Sequence, residues 1–214
     1  MKIDTAQRTL IIVSTFNRLE LTSQCLDSIA RNKAPRTGVV ILDDASSEYS
    51  KEWLEQWGWP VERRENTVGV GLAAKGRAVR AFESPGGFGF FILCDNDMIF
   101  ASHFDDRLRQ LWEAHSENGG LVSGYRSVAY EVKAFTETYV RVKRVGGPCL
   151  GLDRAGVAAL IESIDWSEHW DQQTGKFQCL CPRRSLAQHI ATGGGGVSGI
   201  SWDVAYDFAG EGAW

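Results

Sequence analysis

Apolar positions in the first hundred residues fall into short unbroken runs separated by amphipathic stretches. Thr9 to Thr15 (TLIIVST), Gly38 to Leu42 (GVVIL) and Phe88 to Cys94 (FGFFILC) show no apolar/polar alternation, the pattern of strands buried on both faces. Between them, Leu19 to Arg31 carries Leu19, Leu21, Leu26, Ile29 and Ala30 at helical spacing, and Gly69 to Phe82 reads as a helix with an Ala-rich face able to lie close to a sheet. Ser50 to Trp57 reads as a short helix and Val61 to Arg64 as a weak, polar strand. Strands alternating with helices at this spacing predict βαβ units, a mostly parallel sheet and an α/β fold.

The rhythm changes after residue 100. A helix from Phe104 to His115 leads through a Gly-containing turn into a strand, Leu121 to Gly124. Aromatic and basic β-rich segments then run from Tyr130 to Val145, where Tyr139, Arg141 and Lys143 alternate with Val140 and Val142, as in strands with one wet face. Gly146-Gly147-Pro148 breaks the chain and Asp153 to Ile161 reads as a helix. From Asp165 onward the sequence is rich in Trp, His, Gly and Cys and weak in periodicity, which predicts a functional cover rather than a second core. Gly193 to Gly196 reads as a linker or as the hinge of a lid formed by Ser198 to Trp214.

With 214 residues and 43% hydrophobic content, the chain suits a single compact domain over 1–214. The formal net charge of -4 gives no electrostatic reason to expect a nucleic-acid binder, although Arg141, Lys143 and Arg144 form a local basic cluster. No apolar run reaches the length that a bilayer or a signal peptide requires, so a soluble, cytoplasmic protein is expected. Five cysteines, an odd number with one in a core strand, point to reduced thiols. Cys179-x-Cys181 has no second properly spaced pair to complete a zinc site, with only Cys149 and His169 as loose candidates.

The chemistry concentrates at Asp95-Asn96-Asp97, which follows the Phe88 to Cys94 run directly. Two spaced carboxylates at a strand end lie on the carboxyl edge of the sheet, where open α/β folds bind ligands. Hard oxygen donors of this kind suit Mg²⁺ or Mn²⁺ bridging to phosphate; the plainer alternative is a turn cap and a solvated side chain. Asp43-Asp44-Ala45-Ser46 has helix-capping and turn chemistry that can coexist with binding. Gly69 to Ala74 satisfies G-x-G-x-x-A, a dinucleotide pattern, but the segment before it is charged and comes third, not first, in strand order.

Four landmarks in register, Ile11 to Arg18 (IIVSTFNR), Val39 to Ser46 (VVILDDAS), Asn66-Thr67-Val68-Gly69 and Leu93 to Asp97 (LCDND), resemble those of family 2 glycosyltransferases with the GT-A fold. The resemblance implies a nucleotide-sugar-binding half over 1–100 and an acceptor and catalytic half over 101–192, and the glycine run sets off a flexible segment over 193–214. It implies a donor site built from Thr15, Asn17, Arg18, Asn66, Gly69, Lys75, Asp95 and Asn96, with Asp44 (or Asp43) on the base, UDP preferred. Gly146 and Gly147 would line the sugar pocket, and Trp166, Trp170, Trp202 or Trp214, otherwise core residues, could form a platform against a sugar ring. Asp95, Asp97 and His189 would hold Mn²⁺ or Mg²⁺.

Trp170-Asp171 resembles the place of the catalytic carboxylate in inverting members, making Asp171 the expected base with Glu168 and Asp165 as alternatives. Lys75-Gly76-Arg77 departs from the usual arginine and asparagine spacing. The implied activity is a metal-dependent, inverting transfer of a hexosyl-type sugar to an acceptor hydroxyl, on a glycan, a lipid head group, a protein or a modified nucleic-acid base. A non-catalytic sugar-nucleotide-binding module and an NAD(P)-dependent oxidoreductase are the alternatives.

Overall fold

A computed structural model describes residues 8–116, 119–127, 130–167 and 169–190. The first half forms β1 (Arg8–Thr15), α1 (Leu19–Asn32), β2 (Gly38–Asp43), α2 (Lys51–Glu55), β3 (Val61–Arg63), α3 (Val70–Phe82), β4 (Phe88–Asp95) and β5 (Met98–Phe100). The second half adds α4 (Phe104–His115), β6 (Leu121–Ser123), β7 (Val132–Phe135), β8 (Tyr139–Val142), β9 (Cys149–Asp153), α5 (Arg154–Ser163), a 3₁₀ turn (Trp170–Lys176), β10 (Cys179–Pro182) and β11 (Ala187–His189).

Nine strands form one sheet in the order β3-β2-β1-β4-β9-β6-β10-β8-β7, and β11 pairs with β5 in a second, two-stranded sheet. β3, β2, β1 and β4 are mutually parallel. β9 runs antiparallel between β4 and β6, and β8 antiparallel between β10 and β7. The unbroken apolar runs explain the layering, because both faces of β1 and β4 are covered. Ile11 and Val13 pack with Cys25, Leu26 and Ile29 of α1 on one side. Leu10 and Ile12 pack with Ala74, Ala78 and Ala81 of α3 on the other. Small alanines bring α3 close to the sheet. No described helix is long and apolar enough to cross a membrane.

The stretch after Asp165 departs from the expected cover: β10 lies inside the large sheet with Cys179, Leu180 and Cys181 buried. Four residues are too few to show a period, and cysteine here acts as a small hydrophobe. The expected glycine-containing stretch before α5 contains strand β9, whose apolar run is interrupted by Gly151. A Cβ there would come within 2.6 Å of the Phe90 ring, so the position that hides the strand in the sequence is the one that lets β9 pair against β4. α2 is shorter than expected, beginning after Ser50, whose hydroxyl accepts from Trp53 N–H at 3.2 Å. The expected linker and lid over 193–214 lie outside the described residues.

Candidate active site

Three parallel strands end side by side at Thr15, Asp43 and Asp95, so the landmark residues share one edge of the sheet. Asp43 is 1% exposed. It accepts from Thr15 Oγ1 at 2.9 Å and from the Ser46 N–H at 3.2 Å, and pairs with Arg63 at 3.3 Å. It braces the β2 turn and, with Arg63, also lines the cavity between α3 and the ends of β2 and β3. Asn17, with φ of 50°, is a second brace: its side-chain oxygen accepts from the Ser47 N–H at 2.8 Å, and Asn96 donates to its carbonyl at 3.3 Å and to Thr22 Oγ1 at 2.7 Å. Asn17, Asn96, Thr15 and Asp43 shape the edge from within.

Asp44 points the other way. Its carboxylate accepts from Thr67 Oγ1 at 2.8 Å, the Val68 N–H at 3.1 Å and the Gly69 N–H at 3.3 Å, and pairs with Arg64 at 3.1 Å. It ties down the loop entering α3, including Gly69 with its φ of 82°. Asp44, Arg64 and Lys75 line a cavity of about 460 Å³ between α3 and the ends of β2 and β3. Asn66 stands exposed on the same loop. Gly76 explains the position of Arg64, because a Cβ at 76 would lie 2.5 Å from the Arg64 guanidinium. The departure noted at Lys75-Gly76-Arg77 therefore opens a notch in α3 that holds a planar cation against the cavity.

The carboxylates of Asp95 and Asp97 each meet an arginine. Arg77 of α3, 2% exposed, donates to Asp95. Arg18, whose backbone is left-handed (φ 58°), donates to Asp97 at 2.7 Å. β11 pairs His189 with Met98 and puts its Nε2 3.2 Å from the same Asp97 oxygen. Burial disfavours the charged form of Asp97, but the hydrogen bond and charge of His189 and the charge of Arg18 outweigh it, so the carboxyl titrates below its ordinary value. Although 37% of the Asp95 side chain meets solvent, desolvation raises its carboxyl against the opposing charge of Arg77, and the Asp97 charge adds to the rise. The sequence marked Arg77 only as part of the Lys75-Gly76-Arg77 departure and not as the partner of Asp95; the signal for that role is a charge set in the stripe Ala74, Ala78, Ala81.

Among the described residues, no three metal-ligating side chains already converge on one point. The chemistry of the donors nevertheless fits a divalent cation. The Oδ1 atom of Asp97 is buried with no hydrogen-bond partner, which is costly for a carboxylate oxygen, and a second carboxylate and an imidazole flank it.

On the far side of β4, Pro148 accepts from the Asp95 N–H at 3.0 Å, which lays Gly146 and Gly147 beside the Asp95 strand end. Their missing side chains serve packing. A Cβ at Gly147 would lie 2.2 Å from the Trp170 ring, and the Gly146 N–H donates to the Tyr130 hydroxyl at 2.6 Å. Trp166 and Trp170 stack at 5.3 Å and are buried, so they are core and not a sugar platform. The next residue, Asp171, is partly exposed at the start of the 3₁₀ turn. Burial raises the Tyr130 phenol well above its ordinary value, and the nearby charge of Asp171 adds to the rise.

Asp165 is exposed and accepts from the Ser167 N–H and hydroxyl in a local turn, which lowers its carboxyl; Glu168, Trp202 and Trp214 lie outside the described residues. Replacing Gly147 with alanine is expected to cost about 1–3 kcal/mol through overpacking against Trp170. Urea denaturation of the variant beside the natural protein checks this.

Two other readings meet the same geometry. The dinucleotide pattern fails locally, because a Cβ at Gly71 would lie 2.1 Å from the Trp166 carbonyl oxygen. Protein backbone occupies the approach that a pyrophosphate needs. The Cys179 and Cys181 thiols are buried and donate to the carbonyls of Thr174 and Tyr125. Burial pushes the Cys179 thiol up to about 11, as for a small buried hydrophobe.

The model of the family described as Glycosyl transferase family 2 matches residues 10–164. No curated protein sequence matches the chain. Solved structures do: S. aureus TarS is 15% identical with a TM-score of 0.63, over 86% of this chain and 37% of that one. GalNAc-T7, crystallised with UDP, GalNAc and Mn²⁺, is 14% identical with a TM-score of 0.63, over 86% and 43%. The mannosyltransferase PcManGT from Pyrobaculum calidifontis, in complex with GDP-Man and Mn²⁺, is 16% identical with a TM-score of 0.56, over 82% and 55%. The chain spans well under two thirds of each of these proteins, and at these identities the likeness shows the fold, GT-A.

Proposed function

From the premise that this chain belongs to glycosyl transferase family 2, we propose that it moves a sugar from a UDP-sugar to an acceptor hydroxyl with inversion at the anomeric carbon. The observation that carries the reading is the meeting of Asp44, Arg64 and Lys75 around one cavity at the sheet edge that also ends in Asp95 and Asp97. The cavity takes the nucleoside, with Asp44 and Arg64 offering an acceptor beside a donor to the uracil edge. Lys75 and Arg18 place positive charge for the diphosphate, and Asp95 receives the ribose. Asp97, Asp95 and His189 are the residues that would hold Mn²⁺ or Mg²⁺. When bound, such a cation supplies Lewis-acid stabilisation of the leaving diphosphate.

Asp171 accepts the acceptor hydroxyl proton as that oxygen bonds to the anomeric carbon from the opposite face. The bond to the diphosphate breaks in the same displacement, and its electron pair leaves with UDP. Thermal-shift screening of UDP-, GDP- and CDP-sugars with and without Mn²⁺ tests the donor half. The largest stabilisation is expected from a UDP-sugar with metal; a clear preference for GDP or CDP overturns the uracil assignment.

Asp44→Asn is expected to weaken UDP more than inorganic diphosphate, by about 1–3 kcal/mol in calorimetry. Because Asp44 also anchors the 67–69 loop, Thr67→Val is the control: it loosens that loop without touching the base contact, and should weaken UDP much less.

A further inference from the structure

Six cations outside the donor site lie on or beside the β7–β8 hairpin. Lys133 lies on β7, Arg141 on β8, Lys143 and Arg144 directly after β8, Arg183 directly after β10, and Arg126 reaches across to donate to the Arg183 carbonyl at 2.6 Å. Only Glu131 and Glu137 face them from the hairpin, and Glu131 is taken up by Lys133 and Lys143. Arg141 and Arg144 are exposed and have no ion-pair partner among the described residues. In a chain of net charge -4, this is a strong local excess of positive charge. Edge protection accounts for a lysine on β7, the outermost strand. It does not account for Arg141, since β8 is flanked by β7 and β10, nor for Arg144 and Arg183.

The surface joins the catalytic turn. The Thr174 hydroxyl accepts from the Val145 N–H at 3.0 Å, and its one proton is shared between the Val145 carbonyl at 2.7 Å and the Asp171 carbonyl at 2.8 Å. The segment that follows β8 is therefore fastened to the turn that carries Asp171.

We propose that this basic hairpin surface binds an anionic glycan acceptor whose repeated charges lie along it and whose hydroxyl is led to Asp171. The proposal rests on the glycosyltransferase reading of the site. A glycan is favoured over single-stranded nucleic acid because the hairpin offers one exposed ring, Phe135, already covered by the Arg126 guanidinium at 5.5 Å, and so no stacking platform. It is favoured over a bilayer because Val132 and Phe135 are the only large apolar side chains the hairpin exposes.

The test measures binding of fluorescein-labelled heparin, neutral dextran, a single-stranded oligonucleotide and phosphatidylglycerol vesicles to the whole protein at low and raised salt. Heparin should bind, dextran should not, and affinity should fall as salt rises. Arg141→Glu with Arg144→Glu should weaken heparin at least tenfold while the UDP-sugar thermal shift is unchanged; Arg141→Gln with Arg144→Gln should weaken it less. Equal heparin binding by the reversed variant, absence of heparin binding by the natural protein, or tighter binding of the oligonucleotide or the vesicles overturns the proposal. Loss of the thermal shift in the natural protein overturns the donor-site reading instead, so the two failures are distinguishable.

Discussion

Asp171→Asn is expected to lower kcat by about 10²- to 10⁴-fold while UDP-sugar affinity stays within about twofold of the natural protein. Asparagine keeps the shape and most of the hydrogen bonding of aspartate but takes no proton. A base contributes only as the acceptor oxygen attacks, so its loss should appear in turnover and not in ground-state binding. The structure supports this choice of carboxylate on position and exposure. Asp171 is the second residue of the 3₁₀ turn, follows a Trp170 ring seated on Gly147, and stays partly open to solvent where an acceptor can reach it. Asp165 has its carboxylate committed to Ser167. Single-turnover kinetics with a saturating donor separates chemistry from release. Turnover by the variant within a factor of a few of the natural protein returns the role to Glu168 or Asp165, or leaves a binding module that performs no transfer.

How far the sequence could be read depended on the length of each signal. β1, β2 and β4 are long, unbroken and apolar, and were legible because a strand buried on both faces has no other composition available to it. β3 and β6 are only three residues long yet were legible from their place after a helical stretch, whereas β5, β10 and β11, of three or four residues, lack that setting and form where a neighbouring strand offers a partner. The site followed the same rule. The order of the landmarks placed Asp44, Asp95 and Asp97 on one sheet edge, but not what each carboxylate touches. Asp43 and Asp44 are adjacent and identical, yet one turns inward to Thr15 and Arg63 and the other outward to Arg64 and the α3 loop. The roles of Arg77 and Arg64 were hidden for a related reason: they come from partners eighteen and twenty positions away. Gly76 and Gly147 are defined by side chains that fill the space they leave.

Asp97→Asn should abolish the metal dependence of donor binding and leave the fold intact. Asp97 is 5% exposed, and its Oδ2 meets Arg18 and His189 while its Oδ1 has no partner. Of the three oxygen and nitrogen groups that would hold a divalent cation, it is the one with an unused buried oxygen, so neutralising it removes the donor that the other two cannot replace. Calorimetric titration of the UDP-sugar with and without Mn²⁺ is the measurement; an unchanged metal dependence in the variant refutes the assignment. The same substitution has a pH signature in the metal-free protein. A carboxyl held below its ordinary value of about 3.9 binds protons less readily when folded, so its contribution to stability is complete above that value and is lost as pH falls through the depressed one. The stability difference between the natural protein and Asp97→Asn should therefore shrink as pH falls below about 4. A difference that grew on acidification would mean that Arg18 and His189 do not hold Asp97 in its charged form, and the electrostatic basis for placing a cation there would go with it.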